Sequence, residues 1–122
     1  MATILVIDDE EMIRTLSEKI LERDSHKVLT AETGSDAVTI FKENASTIEL
    51  LIIDMNLEDM NGFEILEEIR KINPEIPGII SSGNNYDIKD IPKTIKNNIS
   101  FLQKPYRAKT LSELVNSLLV LS

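Results

Sequence analysis

The chain has 122 residues, of which 42% are hydrophobic, and it contains no cysteine and no tryptophan. This length fits one domain, residues 1–122, with enough chain to bury a core without disulfides. The lack of cysteine excludes a disulfide framework, a thiolate metal site and a catalytic thiol. A net charge of −8 argues against direct nucleic-acid binding, because phosphates are neutralised by clustered Lys and Arg.

The start of the chain and its hydropathy predict a soluble, cytoplasmic protein. Residues 1–7 are too short for a signal peptide and lack its basic flank. No apolar run approaches the length that crosses a bilayer, so we expect no membrane association.

Short apolar runs alternate with helical patterns along the chain. The runs, in chain order, are Thr3–Ile7, Lys27–Ala31, Leu50–Ile53, Gly78–Ile80 and Ile99–Leu102. Continuous apolar runs are typical of strands that are buried on both faces of a parallel sheet. The second run is more polar and alternating, so we expect it at an edge of the sheet. The alternation predicts an α/β fold, a doubly wound parallel sheet of five strands with helices on both faces.

Helical spacing of apolar residues follows each strand. The positions are Ile13, Leu16 and Ile20; Ala37, Ile40 and Phe41; Ile65, Ile69 and Ile72; and Leu111, Leu114, Val115, Leu118 and Leu119. We predict Ser35 as the cap of the second helix and an end of the third before Pro74. Between Ile88 and Ile95, Pro92 predicts either a short helix that starts near it or a kinked one.

Polar residues cluster directly after four of the predicted strands. They are Asp8, Asp9, Glu10 and Glu11; Asp54; Ser81 and Ser82; and Gln103, Lys104 and Pro105. The carboxyl ends of parallel strands form the ligand crevice of such a sheet, so these side chains should converge. An aspartate after a strand is most often only a helix cap or a loop residue. A functional site is therefore predicted only by the acidic, hydroxyl and lysine residues together.

Clustered carboxylates resist ionising together unless a cation lies among them. Mg²⁺ suits one or two carboxylates together with phosphate oxygens. Lys104 supplies a compact positive charge for a phosphoryl oxygen, and a serine hydroxyl can donate to another. The set therefore favours phosphoryl transfer to a carboxylate, where positioning and charge neutralisation provide most of the catalysis.

With these motifs, the whole chain resembles the receiver domain of response regulators in two-component signalling. The motifs are Asp8-Asp9 in ILVIDDEE, Asp54 and Gly62 in LLIIDMNLEDMNGFE, Ser82 in IISSG, and Phe101, Lys104 and Pro105 in FLQKPY. The resemblance implies the flavodoxin-like strand order 2-1-3-4-5. It also implies that Asp54 accepts a phosphoryl group in an Mg²⁺-dependent transfer from a partner histidine kinase or phosphotransfer protein.

The resemblance also implies a role for each site residue. Mg²⁺ would be held by Asp9, Asp54 and the backbone carbonyl of Asn56, with Asp8 acting through water or by tuning the site. Lys104 would pair with Asp54 at rest and with the phosphoryl group after transfer.

The remaining family positions concern the switch and the phosphoryl lifetime. Ser82 would move toward the phosphoryl group and Phe101 would swing inward behind it. Asn56 and Asn84 stand where the family tunes the lifetime of the phosphoryl group, and neither amide can act as a base. The Lys104–Pro105 peptide would be cis.

The sequence departs from the family pattern in the loops. Glu58 stands where many members carry proline, Ser82 replaces the more frequent threonine, and Gly83 replaces alanine. The usual glycine turn before the last strand is replaced by Asn97-Asn98, which tolerates positive φ.

Phosphorylation would change the surface of the short helix after Asn85, the last strand and the last helix, and so alter binding to an unknown output partner or fused effector. We expect no enzyme activity beyond the domain's own phosphorylation and dephosphorylation. A phosphorylation-dependent dimer stays open, because Val120 and Leu121 add apolar surface to the last helix.

Three alternatives compete with the switch. One is a degenerate receiver that only binds partners, which an intact site argues against. Another is an aspartyl-nucleophile phosphatase, which tends to carry its aspartates two residues apart after the first strand, whereas Asp8 and Asp9 are adjacent. The third is an FMN carrier, which needs a glycine- and hydroxyl-rich loop in place of residues 8–11.

Four side chains are interpreted as ordinary structural residues. His26 is expected at the surface, far in sequence from the acidic site. Met12, Met55 and Met60 are expected to be packing or loop residues, because a thioether is a poor ligand for Mg²⁺.

Overall fold

Strands and helices alternate through the computed structural model, which is described over residues 2–84 and 88–120. The elements are β1 (Thr3–Ile7), α1 (Glu11–Arg23), β2 (Lys27–Ala31), α2 (Gly34–Glu43), β3 (Ile48–Asp54), α3 (Gly62–Arg70), β4 (Gly78–Ser82), β5 (Ile99–Gln103) and α4 (Ala108–Val120). In the described part of the chain, no helix is long and apolar enough to span a bilayer.

The sheet has five strands in the order β2-β1-β3-β4-β5, and all four neighbouring pairs are parallel. This confirms the predicted strand order and places the more polar β2 at an edge. The carboxyl ends of β1 and β3 are neighbours, since Ile7 pairs with Ile53. The residues that follow these strands are therefore brought to one side of the sheet.

Successive side chains of the inner strand β1 enter two separate cores. Leu5 and Ile7 pack with α2 and α3, where Phe41 and Leu66 are fully buried. The alternate residues of β1 pack on the other face with α1 and α4. Both faces of the strand are thus covered, as its continuous apolar sequence predicted.

The second helix begins two residues earlier than its predicted cap allows. Thr33, not Ser35, is the N-cap, because its backbone is extended and its hydroxyl accepts the Asp36 N–H at 3.0 Å. The prediction of Ser35 was wrong because Gly34 is already helical. Helix α3 begins with a capping box formed by Asn61 and Glu64.

The segment between β4 and β5 contains short 3₁₀ turns, Ile88–Asp90 and Lys93–Ile95. Of the two predicted forms, the short helix that starts near Pro92 is the nearer, although a single 3₁₀ turn forms there instead of an α-helix. Asn85, where the predicted helix region starts, lies outside the described residues, as does Leu121. Asn98 adopts φ 55°, which agrees with the predicted positive φ of the turn before β5.

A buried arginine fastens this segment to the amino end of the sheet. Arg70 of α3 donates to the carbonyl oxygens of Ile76 at 2.9 and 3.2 Å, and to those of Ile95 and Asn98 at 3.1 Å each. The start of β4, the second 3₁₀ turn and the start of β5 therefore converge on one guanidinium.

Two of the residues interpreted as structural differ from expectation. His26 is half-buried, and its Nδ1 accepts the backbone N–H of Ala2 at 3.2 Å. The surface prediction was wrong because the turn before β2 lies against the start of β1. Met12 is the second, because it is 83% exposed on α1 and so neither packs in the core nor lies in a loop, whereas Met55 is buried in the core as expected.

Candidate functional site

Asp8, Asp54 and Lys104 meet at the carboxyl end of the sheet, at the ends of β1, β3 and β5. The Nζ of Lys104 lies 2.9 Å from Asp8 Oδ2, 3.5 Å from Asp54 Oδ1 and 3.7 Å from Glu10 Oε1. Asp8 and Asp54 are only 3% and 5% exposed. The lysine was predicted to pair with Asp54 at rest, and here it contacts Asp54 while it makes its shorter hydrogen bond to Asp8.

Burial at the end of β3 raises the pKa of Asp54 above its ordinary value of 3.8, because the charged form loses its hydration. The backbone N–H of Asn56, 3.2 Å from Asp54 Oδ1, opposes this shift and so does the charge of Lys104. The charges of Asp8 and Asp9 add to the rise. The site therefore holds more negative charge than its single lysine offsets.

Lys104 stays protonated in this setting. Burial is the largest influence on its pKa and would lower it, but the hydrogen bond and charge of Asp8, with the charges of Asp54 and Glu10, raise the pKa above 10.5. The ammonium is thus a fixed positive charge between the carboxylates.

Three consecutive acidic residues form a group that could hold a metal ion. One carboxylate oxygen from each of Asp8, Asp9 and Glu10 lies within 4.8 Å of the others. Such oxygens are the ligands that Mg²⁺ prefers, and the uncompensated charge at Asp54 is what a divalent cation would neutralise. Asp8 and Asp9 belong to the predicted ligand set, Asp54 lies next to this group across Lys104, and Glu10 was not predicted.

Ser82 and Lys104 are held beside each other by the pairing of β4 with β5. The N–H of Lys104 donates to the Ser82 carbonyl at 2.8 Å. The Ser82 hydroxyl accepts the N–H of Asn84 at 3.0 Å, so both predicted residues lie at the end of β4. The Lys104–Pro105 peptide is cis, the geometry that the resemblance implied.

Phe101, the predicted aromatic switch, faces outward in this structure. Its side chain is 39% exposed and meets Phe63 of α3 edge to face, with ring centroids 6.4 Å apart. The strand β5 thus places a large aromatic ring at the surface, at the position that pairs with Ile80 of β4.

Gly62 is required by the close approach of α3 to β3. A Cβ at this position would lie 3.2 Å from Met55 Cα and 3.3 Å from the Asp54 carbonyl oxygen. The Gly62 N–H donates to the Met55 carbonyl at 2.9 Å, which draws the start of α3 onto the strand that carries Asp54.

Sequence reasoning missed the residues that support the site from α1. Arg14 donates to the backbone carbonyl of Asp8 at 2.8 Å and to Glu32 at 3.3 Å. The hydroxyls of Ser17 and Tyr106 lie 2.7 Å apart and join α1 to the loop after Pro105. The position of Arg14, one helical turn into α1, was a sequence signal for its contact with Asp8. The contact of Ser17 with Tyr106 links positions far apart in the sequence, so no local signal predicted it.

The chain is similar to known signalling proteins over nearly its whole length. The family model of the response regulator receiver domain matches residues 4–116. Sensor kinase CckA of Brucella abortus is 30% identical over 97% of this chain and 12% of that protein. Transcriptional regulatory protein AfsQ1 of Streptomyces coelicolor is 29% identical over 98% of this chain and 52% of that protein. The chain thus spans about half or less of these two relatives.

A solved structure of a response regulator receiver domain protein from Clostridium thermocellum has the same fold. It superposes with a TM-score of 0.85 and 37% identity over 97% of this chain and 94% of that one. The likeness covers the sheet, its helices and the loops that carry the acidic residues.

Proposed function

Because the chain belongs to the response regulator receiver domain family, whose members are phosphoacceptor switches, we propose that Asp54 is the phosphoryl acceptor. The observation that carries this proposal is the contact of the buried Asp54 carboxylate with Lys104, beside Asp8 and Asp9. The positive charge near this buried carboxylate is too small to offset the negative charge of the site. The Mg²⁺ that accompanies an incoming phosphoryl group would supply the missing positive charge.

The proposed transfer is a displacement at phosphorus. A carboxylate oxygen of Asp54 forms the new P–O bond while the P–N bond of a phosphohistidine breaks, and the imidazole leaves with the electron pair and takes up a proton from water. When bound at Asp8, Asp9, Asp54 and the Asn56 carbonyl, Mg²⁺ would neutralise the negative charge that gathers on the phosphoryl oxygens.

The protein's own groups orient the transferred phosphoryl group. Lys104 is already charged and 3.5 Å from Asp54, so it can turn from Asp8 to a phosphoryl oxygen without gaining a proton. The Ser82 hydroxyl accepts from Asn84 and keeps its own proton for donation. Movement of Ser82 would open space behind it for Phe101, which is the proposed readout at the surface.

Exposed apolar residues lie beside the acidic loop, residues 8–10, and support docking of a helical phosphohistidine donor. Met12 and Leu16 lie one turn apart on α1 and are 83% and 46% exposed, with Glu11, Thr15 and Lys19 lining the same groove. A donor helix that packs its apolar side here would bring its histidine toward Asp54, since Glu11 begins the helix that follows the acidic loop.

The output side of the proposal concerns the longer relatives. A sensor kinase and a transcriptional regulatory protein each contain a region similar to this chain. We propose that phosphorylation controls a kinase or a transcriptional effector, either fused to this domain or separate from it. The protein would catalyse only its own phosphorylation and dephosphorylation. A cytoplasmic location and a phosphorylation-dependent dimer stay predictions of the sequence.

The proposal is tested by intact mass after incubation with acetyl phosphate. Wild type should gain one phosphoryl group in Mg²⁺ and none in a chelator, and Asp54→Asn should gain none. Glu58→Gln, which neutralises an exposed carboxylate in the same loop, is the matched control and should be labelled like wild type. Unlabelled wild type, under conditions that label a known receiver, would contradict the proposal and favour a domain that only binds partners.

A further inference from the structure

The loop that follows Asp54 is closed on itself at its base. Asn56 and Asn61 form an antiparallel bridge, and the N–H of Gly62 donates to the Met55 carbonyl at 2.9 Å. The four residues between the bridged asparagines therefore project as a short turn from the end of β3. The backbone of Asn56, whose carbonyl is the expected metal ligand, forms one side of this turn.

The tip of the turn is fastened to a different helix. The carboxylate of Asp59 accepts the N–H of Gly34 through Oδ1 and the N–H of Ser35 through Oδ2, each at 2.9 Å. These are the first residues of α2, whose N–H groups have no partner within the helix. Met60 covers the same spot so closely that a Cβ on Gly34 would lie 2.7 Å from its sulfur.

The Asp59 carboxylate anchors the turn both by its negative charge and by its two hydrogen bonds to α2. A carboxylate at a helix N-terminus is stabilised by the helix dipole and by the free N–H donors. The N–H groups of Gly34 and Ser35 lower the pKa of Asp59, so the contact is made by the charged form at neutral pH. No proline stiffens the segment between Asp54 and Gly62, so the loop depends on contacts such as this one for its position.

We propose that Asp59 is a positioning residue for the phosphorylation site, which it serves by anchoring the 56–61 turn to α2 and so holding the Asn56 carbonyl in place for Mg²⁺. The inference rests on the proposed function, since it assigns Asp59 a part in preparing the same site. Asp59 lies three residues from Asn56 and touches neither Asp54 nor Lys104 in the described contacts. If the tip were released, the 56–61 turn would have to become ordered when Mg²⁺ binds. The entropy cost of that ordering would lower the affinity for Mg²⁺.

The test compares Asp59→Ala with two variants of matched chemistry. Glu58→Ala removes the neighbouring negative charge, and Glu58 is exposed on the same turn. Asp59→Asn keeps the shape and one oxygen acceptor, but it removes the charge and replaces the second acceptor with an amide donor. Hydrogen exchange of the Gly34 and Ser35 amides reports the anchor directly, and the rise of melting temperature with Mg²⁺ reports the dissociation constant without any phosphodonor.

We expect Asp59→Ala to expose both amides to faster exchange and to raise the Mg²⁺ dissociation constant about threefold to tenfold, as for a lost helix cap. Asp59→Asn should recover part of both effects, and Glu58→Ala should change neither exchange nor affinity by more than about twofold.

Two results would overturn the inference. One is faster exchange in Asp59→Ala with unchanged Mg²⁺ affinity, since the contact would then be only a cap for α2. The other is an equal loss of Mg²⁺ affinity in Asp59→Ala and Glu58→Ala, because the loss of one negative charge would then explain the whole effect without the anchor. Labelling of wild type by acetyl phosphate, measured in parallel, reports the proposed function separately, because the Mg²⁺ titration needs no phosphoryl transfer.

Discussion

At the amino end of β4 and β5, the buried guanidinium of Arg70 donates to three backbone carbonyls, whereas at the carboxyl end Lys104 faces the buried carboxylates of Asp8 and Asp54. The carbonyls around Arg70 carry no net charge and share its donors. The carboxylates around Lys104 outnumber it. The first arrangement is complete as it stands, and the second leaves an excess of negative charge that the proposed Mg²⁺ would offset.

The difference shows how a buried charge can be classified from its partners. Burial lowers the pKa of Arg70, but its donors are paired with the carbonyl oxygens of Ile76, Ile95 and Asn98. Burial raises the pKa of Asp54, and neighbouring carboxylates raise it further. Arg70 therefore serves stability, and Asp54 is set up for chemistry.

The largest expected effect follows from Arg70. In Arg70→Met, the carbonyls of Ile76, Ile95 and Asn98 lose their common donor, so the free energy of unfolding should fall by about 3 kcal/mol. Urea denaturation measures this loss. Arg70→Lys should fall between wild type and Arg70→Met, because one ammonium cannot reproduce the planar fork. If Arg70→Met were as stable as wild type, the guanidinium would not be holding this end of the sheet.

A smaller effect, of opposite sign, is expected at Asp54 without Mg²⁺. Its pKa is raised in the folded state, so the native protein binds this proton more tightly than the unfolded chain does. Its contribution to the free energy of unfolding then falls as pH rises from the ordinary pKa of 3.8 through the raised value.

Asp54→Asn should therefore be more stable than wild type at pH 7 in a chelator, and this advantage should shrink as the pH falls through the raised pKa of Asp54 and be largely gone at about pH 4. Urea denaturation at both pH values measures it, with Glu58→Gln as a control that should stay within about 0.5 kcal/mol of wild type. An advantage that is the same at both pH values would show that repacking, not the charge, causes it.

The smallest effect is expected where α1 meets the loop after Pro105. Ser17 is fully buried and its hydroxyl contacts that of Tyr106, so Ser17→Ala or Tyr106→Phe should each cost about 1 kcal/mol. The double variant should lose less than the sum, because the two changes remove the same hydrogen bond. Strictly additive losses in urea denaturation would mean that the two hydroxyls do not support each other.

The sheet could be predicted from the sequence because its strands are continuous apolar runs. All five predicted strands match to within two residues at each end; β3 begins two residues earlier, at Ile48, and β4 ends two residues later, at Ser82. Helix α3 ends at Arg70, before the predicted stripe ends at Ile72. Helix boundaries were less certain because they depend on caps, as the choice between Thr33 and Ser35 shows.

The candidate site was predictable in part for the same physical reason. Residues directly after neighbouring strands must converge, which brings Asp8, Asp54 and Lys104 together. Contacts between separate loops and helices have no local signal, so the contact of Asp59 with α2 could not be predicted from the sequence, and Arg14 was visible only as an arginine one turn into α1.

We propose that the carboxyl end of the sheet lacks a positive charge, which Mg²⁺ supplies. The most direct test is the melting temperature as a function of Mg²⁺ concentration for wild type and Asp9→Asn, with Arg70→Lys as a control at the opposite end. Wild type and Arg70→Lys should gain stability in a saturable way, and Asp9→Asn should gain much less. A wild type whose melting temperature does not respond to Mg²⁺, or an Asp9→Asn that responds as wild type does, would contradict the claim.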